Sequence, residues 1–178
     1  MNIRATRRIV NGVAPALALL MLGSLAAAQT AKKSDYLKNI ELCNGSGRTS
    51  FAARIDGCTA FIESGEGKTT ALVVAYNNRG NAHAAQGAYD QAIADFERSI
   101  KLDPTYAKPF NNLGAAYVRK GEYDLALKAL DDAIRLNPNY GGAFANRAGA
   151  YLKKNDYDRA MRDFDEAARL EPNRAAVW

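Results

Sequence analysis

Side chains suited to catalysis or metal binding are few in this sequence. It contains two cysteines, Cys43 and Cys58, and a single histidine, His83. A zinc site needs three or four nitrogen, sulfur or carboxylate ligands at short spacings, and no Cys-x-x-Cys pair is present. Gly45-x-Gly47 lacks the strand and helix that flank a nucleotide-binding loop, and no serine stands in a nucleophile-elbow setting. The sequence therefore predicts no metal site and no cofactor, and it argues against an enzyme.

Two acidic groups, Asp131-Asp132 and Asp163-x-Asp165, are the remaining candidates for acid–base chemistry. Paired carboxylates act as general acid and base only in a cleft that shifts their pKa values. Here lysine and arginine residues are interleaved with them, as on the solvated face of a helix. We therefore interpret both groups as surface charge.

The elements that would position these side chains come from a repeat. The region from Val73 to Arg174 contains three copies of one 34-residue unit, which start at Val73, Ala107 and Gly141. The recurring positions are an aromatic residue at offset four (Tyr76, Phe110, Phe144), a small residue at offset eight (Gly80, Gly114, Ala148), an aromatic or histidine at offset eleven (His83, Tyr117, Tyr151), alanine at offset twenty (Ala92, Ala126, Ala160), phenylalanine or leucine at offset twenty-four (Phe96, Leu130, Phe164) and proline at offset thirty-two (Pro104, Pro138, Pro172). A fixed period of this length indicates stacked units that share one core.

This pattern resembles the tetratricopeptide repeat (TPR) family over 102 of the 178 residues. The resemblance implies an all-α fold, a helix-turn-helix solenoid with repeats at 73–106, 107–140 and 141–174 that binds other proteins. We expect Gly121 to turn the chain after a first helix. The second helices should end before Pro104, Pro138 and Pro172, because the residue before proline avoids the α region. His83 shares its offset with tyrosines, so we expect it to pack in the core rather than catalyse a reaction.

The resemblance also implies a concave groove lined by the first helix of each repeat. Six offsets that face this groove in the family carry mostly asparagine and basic residues here: Asn77, Asn78, Asn81, Lys108, Asn111, Asn112, Arg119, Asn146 and Lys153. Asparagine donates and accepts hydrogen bonds and can hold the backbone of an extended peptide, while the basic residues can pair with a carboxylate. The alternative is that asparagine at offset six is common in the family and helps the helices to pack.

Some TPR proteins bind the C-terminal carboxylate of a chaperone through a carboxylate clamp. Asn81 and Asn112 match two of the five clamp positions. The other three, which hold lysine or arginine in the family, are Asn77, Gly142 and Asn146 here. We therefore expect a protein or peptide partner other than such a chaperone.

Residues 1–28 have the features of a secretory signal peptide. Arg4, Arg7 and Arg8 precede an apolar stretch, and cleavage is expected between Ala28 and Gln29. The alternative, a membrane anchor, requires a longer apolar stretch of about 20 residues. The sequence thus predicts a periplasmic or secreted protein with no membrane insertion after cleavage.

The net charge gives no indication of nucleic-acid binding. The formal charge is +5, but three of the arginines lie in the predicted signal peptide and no acidic residue does. Without residues 1–28, 21 basic and 19 acidic residues remain, which leaves +2.

Residues 29–34 form a polar lead-in, and residues 35–67 are expected to form a degenerate helical hairpin that caps the array at 68–178. We expect its first helix to begin near Tyr36 and the first helix of the array to begin near Thr70. Cys43 and Cys58 both fall in this cap, and an exported chain with an even number of cysteines favours a disulfide. Free buried thiols, or a redox or metal pair, are the alternatives. The bridge requires the second cap helix to start after Thr49, or residues 44–52 to fold back.

Residues 175–178 place Trp178 where a further repeat would have its first aromatic residue. On the preceding helix, Met161, Phe164, Ala168 and Leu170 would then be partly open. Either the gene product is truncated or another chain covers this face, and the second case predicts a homodimer through this helix. The sequence thus supports two functions. The first is an exported scaffold or adaptor that binds a protein or peptide in its groove, and the alternative is a homo-oligomeric structural component.

Overall fold

A computed structural model describes the chain over residues 14–45 and 49–172. These residues form eight α-helices and, within the same ranges, no β-strand, which confirms the predicted all-α fold. The helices are α1 (Ala14–Asn44), α2 (Phe51–Glu63), α3 (Thr69–Ala85), α4 (Tyr89–Leu102), α5 (Ala107–Lys120), α6 (Tyr123–Leu136), α7 (Gly141–Lys153) and α8 (Tyr157–Leu170). The pairs α3/α4, α5/α6 and α7/α8 are the helical hairpins of the three predicted repeats.

Helix α1 is longer than we expected. We expected a short helix that begins near Tyr36, whereas α1 begins at Ala14 and spans 31 residues. No glycine or proline interrupts the sequence between Gly23 and Gly45, and this segment is rich in alanine, leucine and lysine, which favour helix. The polar lead-in at 29–34 is therefore helical.

The predicted cleavage site between Ala28 and Gln29 lies within α1. Residues 1–13 of the predicted signal peptide lie outside the described residues, so cleavage remains a prediction. None of the described helices combines the length and the hydrophobicity needed to cross a membrane.

The chain divides into two compact units, residues 1–37 and residues 38–178. Within the second unit, the first helices α3, α5 and α7 contact one another from repeat to repeat. In the described part of the chain, the second helices α4, α6 and α8 contact first helices but not one another. The first helices therefore form the inner side of the array and the second helices its outer side.

Small residues at offset eight allow the two helices of a hairpin to approach closely. A Cβ on Gly80 would lie 2.6 Å from the ring of Phe96, and a Cβ on Gly114 would lie 2.5 Å from Cγ of Leu130. Both large side chains are almost completely buried. The glycines thus make room for the side chains that fill the centre of each hairpin.

The expected ends of the helices are confirmed. The second helices end at Leu102, Leu136 and Leu170, two residues before each proline. Gly121 ends α5 in the left-handed conformation, with φ 81°. In the third repeat Asn155 takes this conformation, with φ 60°, which asparagine tolerates better than most residues.

Cys43 and Cys58 form a disulfide between α1 and α2. Helix α2 starts at Phe51, two residues after Thr49, because the Ser50 side chain accepts a hydrogen bond from the Ala53 N–H at 3.1 Å. Cys58 nevertheless lies two turns along α2, so the bridge depends on how closely the helices pack. Residues 46–48 of the connecting loop lie outside the described residues.

The close packing of α1 and α2 is centred on Gly57. A Cβ at this position would lie 2.5 Å from Cβ of Leu42 and 3.0 Å from the carbonyl oxygen of Asn39. Only glycine permits this approach, which brings the neighbouring Cys58 against Cys43.

The last described helix, α8, has both buried and exposed apolar side chains. Met161 is 63% exposed, whereas Phe164, Ala168 and Leu170 are partly buried. The further helix expected at 175–178 lies outside the described residues.

Candidate binding surface

The inner side of the array contains two adjoining clefts, which we call the inner groove. The first is a cleft of about 400 Å³ lined by α3 and α5 together with Tyr89 and Phe96 of α4. The second is a cleft of about 660 Å³ between α5 and α7. Arg119 borders both clefts, so a single extended ligand could occupy them in succession.

Five of the nine residues predicted to face a groove line these clefts: Asn81, Asn112, Arg119, Asn146 and Lys153. The other four do not. Asn77 and Asn111 are buried, with 5% and 6% of their surface exposed, because offset five turns toward the neighbouring first helix. Lys108 is exposed but outside both clefts, and the half-buried Asn78 donates a hydrogen bond to Asn44 Oδ1 at 3.3 Å.

The asparagine side chains form a hydrogen-bonded chain across the three repeats. Asn146 Nδ2 donates to Asn111 Oδ1 at 2.8 Å, and Asn111 Nδ2 donates to Asn112 Oδ1 at 3.1 Å. Asn112 Nδ2 in turn donates to Asn77 Oδ1 at 2.9 Å. In two successive repeats, the asparagine at offset six thus donates to the asparagine at offset five of the preceding repeat.

This chain gives the asparagines a packing role without using all of their capacity. A primary amide has two N–H donors and an oxygen with two lone pairs. Asn112 and Asn146 each use one N–H in the chain and also line the inner groove. Both readings of the asparagine pattern, ligand binding and helix packing, are therefore compatible with the same side chains.

The inner groove has cations available for a ligand. Lys120 pairs with Asp90 at 2.9 Å and with Glu122 at 2.8 Å, and its hydrogen bonds to Glu122 and Asp90 raise its pKa. Arg119 and Lys153, by contrast, are exposed and form no ion pair with any described residue. They are the groove residues best placed to bind a carboxylate.

An arginine–aspartate pair in the first and third repeats was missed by the sequence analysis. Arg147 donates two hydrogen bonds to Asp163, at 2.7 and 2.8 Å, and a third to Asp131 at 2.7 Å. Asp163 is only 7% exposed. The interpretation of Asp163 as solvated surface charge was therefore wrong, since a buried carboxylate here is neutralised by a guanidinium.

The first repeat contains the same arrangement. Arg79 donates to Asp95 at 2.9 and 2.7 Å and to Thr59 Oγ1 at 3.0 Å. Arg79 and Arg147 both occupy offset seven, and Asp95 and Asp163 both occupy offset twenty-three. That joint recurrence is the sequence pattern that could have revealed the pair.

His83 lies on α3 beside this first pair. Its side chain is 19% exposed, and its Nε2 lies 3.9 Å from Asp95 Oδ2. Burial lowers the pKa of His83, and the Asp95 carboxylate partly opposes this effect. Among the residues that the structure describes, no group of three His, Cys, Asp or Glu side chains is arranged to hold a metal ion.

Family models described as TPR repeat and tetratricopeptide repeat match residues 80–121, 107–140 and 142–174. No curated protein sequence matches the chain significantly. Three solved structures illustrate the similarity of the fold. The crystal structure of MamA is 28% identical, with a TM-score of 0.60, and the match covers 71% of each chain.

The other two structures contain bound peptides. The second TPR domain of human RPAP3, in complex with the HSP70 peptide SGPTIEEVD, is 32% identical with a TM-score of 0.57, and the match covers 62% of this chain and 92% of that one. The first TPR of Spaghetti (RPAP3), bound to the HSP90 peptide SRMEEVD, is 27% identical with a TM-score of 0.56, over 57% and 81% of the two chains.

Proposed function

The chain belongs to the tetratricopeptide repeat family, and from this membership we propose that it is an exported scaffold that binds an acidic, extended segment of a partner protein in the inner groove. The observation that carries this proposal is the pair of exposed cations, Arg119 and Lys153, beside the amides of Asn112 and Asn146. Cations attract the carboxylates of the ligand, and amides hold its backbone. The role is binding rather than catalysis.

The similar structures support a peptide ligand but not the same mode of recognition. The peptides SRMEEVD and SGPTIEEVD bound in them are acidic near their C-terminal ends. Three clamp positions differ in this chain, where they hold Asn77, Gly142 and Asn146. Asn77 is also buried and bonded to Asn112. We therefore propose that Arg119 and Lys153 supply the positive charge that the clamp positions lack.

Peptide selection tests this function. A random peptide library displayed on phage is selected on the purified protein, and one labelled peptide from the selection is then measured by fluorescence anisotropy. We expect the selected peptides to be enriched in Asp and Glu. We expect Arg119→Glu combined with Lys153→Glu to weaken binding roughly tenfold or more, since each exposed charge pair contributes up to about 1 kcal/mol.

Lys108→Glu is the matched control, because Lys108 lies on α5 with Arg119 but outside both clefts. It should leave the affinity nearly unchanged. Selected peptides without acidic enrichment, or equal losses for Lys108→Glu and for the groove variant, would refute the proposed binding mode.

We place the protein outside the cytoplasm, in the periplasm or secreted. The disulfide between Cys43 and Cys58 supports this location, because disulfides persist mainly in oxidising compartments. The test is cell fractionation followed by N-terminal sequencing. A mature chain that begins at Gln29 is expected, and an uncleaved chain confined to the cytoplasm would contradict it.

A second candidate function is a homo-oligomeric structural component that assembles through α8. The exposure of two large side chains on that helix, 63% for both Tyr157 and Met161, favours it. Sedimentation velocity over a concentration series tests it directly. A mass that stays at one chain at every concentration would exclude this candidate and leave peptide binding unaffected.

A further inference from the structure

Three successive grooves lie on the outer side of the array. A first helix forms the base of each groove, and arginine side chains occupy two of the grooves. Arg79 of α3 connects Thr59 of α2 with Asp95 of α4. Arg147 of α7 connects Asp131 of α6 with Asp163 of α8. Each guanidinium therefore ties together the two outer helices on either side of its own helix.

The middle groove, between α4 and α6, has no such arginine. Leu113 occupies offset seven and Ala129 occupies offset twenty-three. The result is an open cleft of about 380 Å³, which we call the outer cleft. Its apolar lining comes from Ile100, Phe110, Leu113, Leu125 and Ala129. Leu125 at its edge is 48% exposed.

The chemistry of the outer cleft favours an apolar occupant over a cationic one. Ala129 offers no carboxylate where Asp95 and Asp163 stand in the neighbouring repeats. The carboxylate of Glu97 is hydrogen-bonded to Tyr117, whose pKa is raised by burial and by this acidic neighbour. A guanidinium inserted here would be buried without its bidentate partner, which is unfavourable. An apolar side chain has no such requirement.

The edge of the outer cleft carries positive charge that is free for a partner. Two carboxylates also line the cleft: Asp132 pairs with Arg135 at 2.9 Å, and Glu97 accepts a hydrogen bond from Tyr117 and keeps its charge. Lys101 and Lys128 are exposed and form no ion pair with any described residue. The cleft therefore suits an apolar side chain that is flanked by carboxylates.

Helix α8 of the same chain presents such a group. Met161 is 63% exposed, and Asp158 and Asp165 stand three residues before it and four residues after it, on the same face of the helix. Both aspartates are exposed, and neither forms an ion pair within the described part of the chain. Helix α8 contacts α7 and no other described helix, so it does not reach the outer cleft of its own chain.

We propose that the outer cleft of one copy receives α8 of a second copy, with Met161 in the cleft and the two aspartates against Lys101 and Lys128. This extends the second candidate function by naming the surface that receives α8, and it is independent of peptide binding in the inner groove. The donor and acceptor surfaces differ, so two copies can exchange this contact in a closed two-fold dimer, or successive copies can repeat it head-to-tail. In both arrangements association grows with concentration.

Two charge-reversed proteins test this contact by sedimentation velocity. The cleft variant carries Lys101→Glu and Lys128→Glu, and the helix variant carries Asp158→Lys and Asp165→Lys. Each alone should self-associate about tenfold more weakly than the parent protein, because like charges then face each other. An equimolar mixture should regain association, since each variant then meets a partner of opposite charge.

Matched controls separate this contact from general effects of charge and hydrophobicity. Lys38→Glu makes on α1 one charge reversal of the kind that the cleft variant carries twice, and Val74→Ala removes an exposed apolar group from α3. Both should associate like the parent protein. Met161→Ala should weaken association about tenfold. If the parent associates but the charge variants do so equally, or if their mixture stays dissociated, the outer cleft is excluded, and the result for Met161→Ala then decides whether α8 takes part in assembly. If the parent does not associate, both proposals fail.

Discussion

The side-chain amide of Asn146 donates a hydrogen bond of 2.8 Å to the side-chain oxygen of Asn111, one repeat earlier in the chain. Asn111 is 6% exposed and donates in turn to Asn112. A buried amide with satisfied hydrogen bonds fixes the register between stacked helices, because any sliding would leave polar atoms unpaired. The inner groove is thus held in shape by the same residue type that lines it.

Replacing Asn111 should destabilise the array. In Asn111→Ala, Asn146 loses its acceptor and Asn112 loses its donor, so we expect the free energy of unfolding to fall by about 1–3 kcal/mol. Chemical denaturation measures it. Asn139→Ala is the control, since Asn139 lies exposed in the loop between α6 and α7, and its effect should stay within about 0.5 kcal/mol. Equal effects of the two substitutions would contradict a structural role for the amide chain.

The arginine–aspartate pair of the third repeat can be replaced by the residues that the second repeat already uses. Arg147→Leu alone strands the buried Asp163 and should cost about 3–5 kcal/mol. Asp163→Ala alone should cost less, because Arg147 keeps its hydrogen bond to Asp131. The double variant reproduces the pairing of Leu113 with Ala129 and should recover most of that loss. Denaturation midpoints of the three variants test this expectation.

The control for the buried pair is an exposed one. Arg135 pairs with Asp132 at 2.9 Å and is 66% exposed, so Arg135→Leu should cost less than about 1 kcal/mol. A double variant of Arg147 and Asp163 that is no more stable than the single ones would show that the pair contributes more than mutual neutralisation.

The sequence predicted the fold because the signals for the fold recur. Gly80 and Gly114 stand at the same offset of their repeats, and a proline follows each second helix by two residues. These signals act locally and return at one period, so each repeat supports the interpretation of the others. The expected start of α1 near Tyr36 had no such support. With neither glycine nor proline between Gly23 and Gly45, nothing in the sequence marks a boundary there.

The groove was only partly predictable, for a geometric reason. Asn77 and Asn112 look alike in sequence, yet one is buried and the other lines a cleft. Asn77 stands at offset five and Asn112 at offset six, and these two positions differ by about 100° around the helix. Offset five is the position that turns toward the next first helix. A pattern of offsets within one repeat does not contain that inter-repeat contact. The pairing of Arg147 with Asp163 was missed for a similar reason, because it joins two helices.

Acidification should weaken the first repeat through His83. Burial lowers the pKa of His83 below its ordinary value of 6.5. The nearby Asp95 carboxylate raises this pKa in part, and the charge of Arg79 lowers it. The unfolded state then binds a proton more readily than the folded state, so stability is full above about pH 6.5 and falls as the pH decreases toward the lowered pKa. Unfolding free energies measured across this range should show that slope.

The matched variant for this pH dependence is His83→Tyr, which installs the residue found at Tyr117 and Tyr151. It should remove the slope near pH 6.5, because tyrosine does not titrate there. The remaining acid sensitivity, at lower pH, belongs to carboxylates and should be the same in both proteins. An unchanged slope in His83→Tyr would assign the effect to other groups.

Reduction of the disulfide should destabilise the N-terminal hairpin. Cys43 and Cys58 are separated by 15 residues, and closing a loop of this length stabilises the folded state by about 3 kcal/mol in the loop-entropy model. We therefore expect reductant to lower the free energy of unfolding by that order. The variant with Cys43→Ser and Cys58→Ser should show the same loss and no further response to reductant, which separates the effect of the bridge from that of the reagent.

Hydrogen exchange should locate the loss in α2 and the end of α1, because the three repeats beyond α2 contain no part of the bridge. A parent protein whose stability is unchanged by complete reduction would show that the close packing at Gly57 holds the hairpin without the bridge.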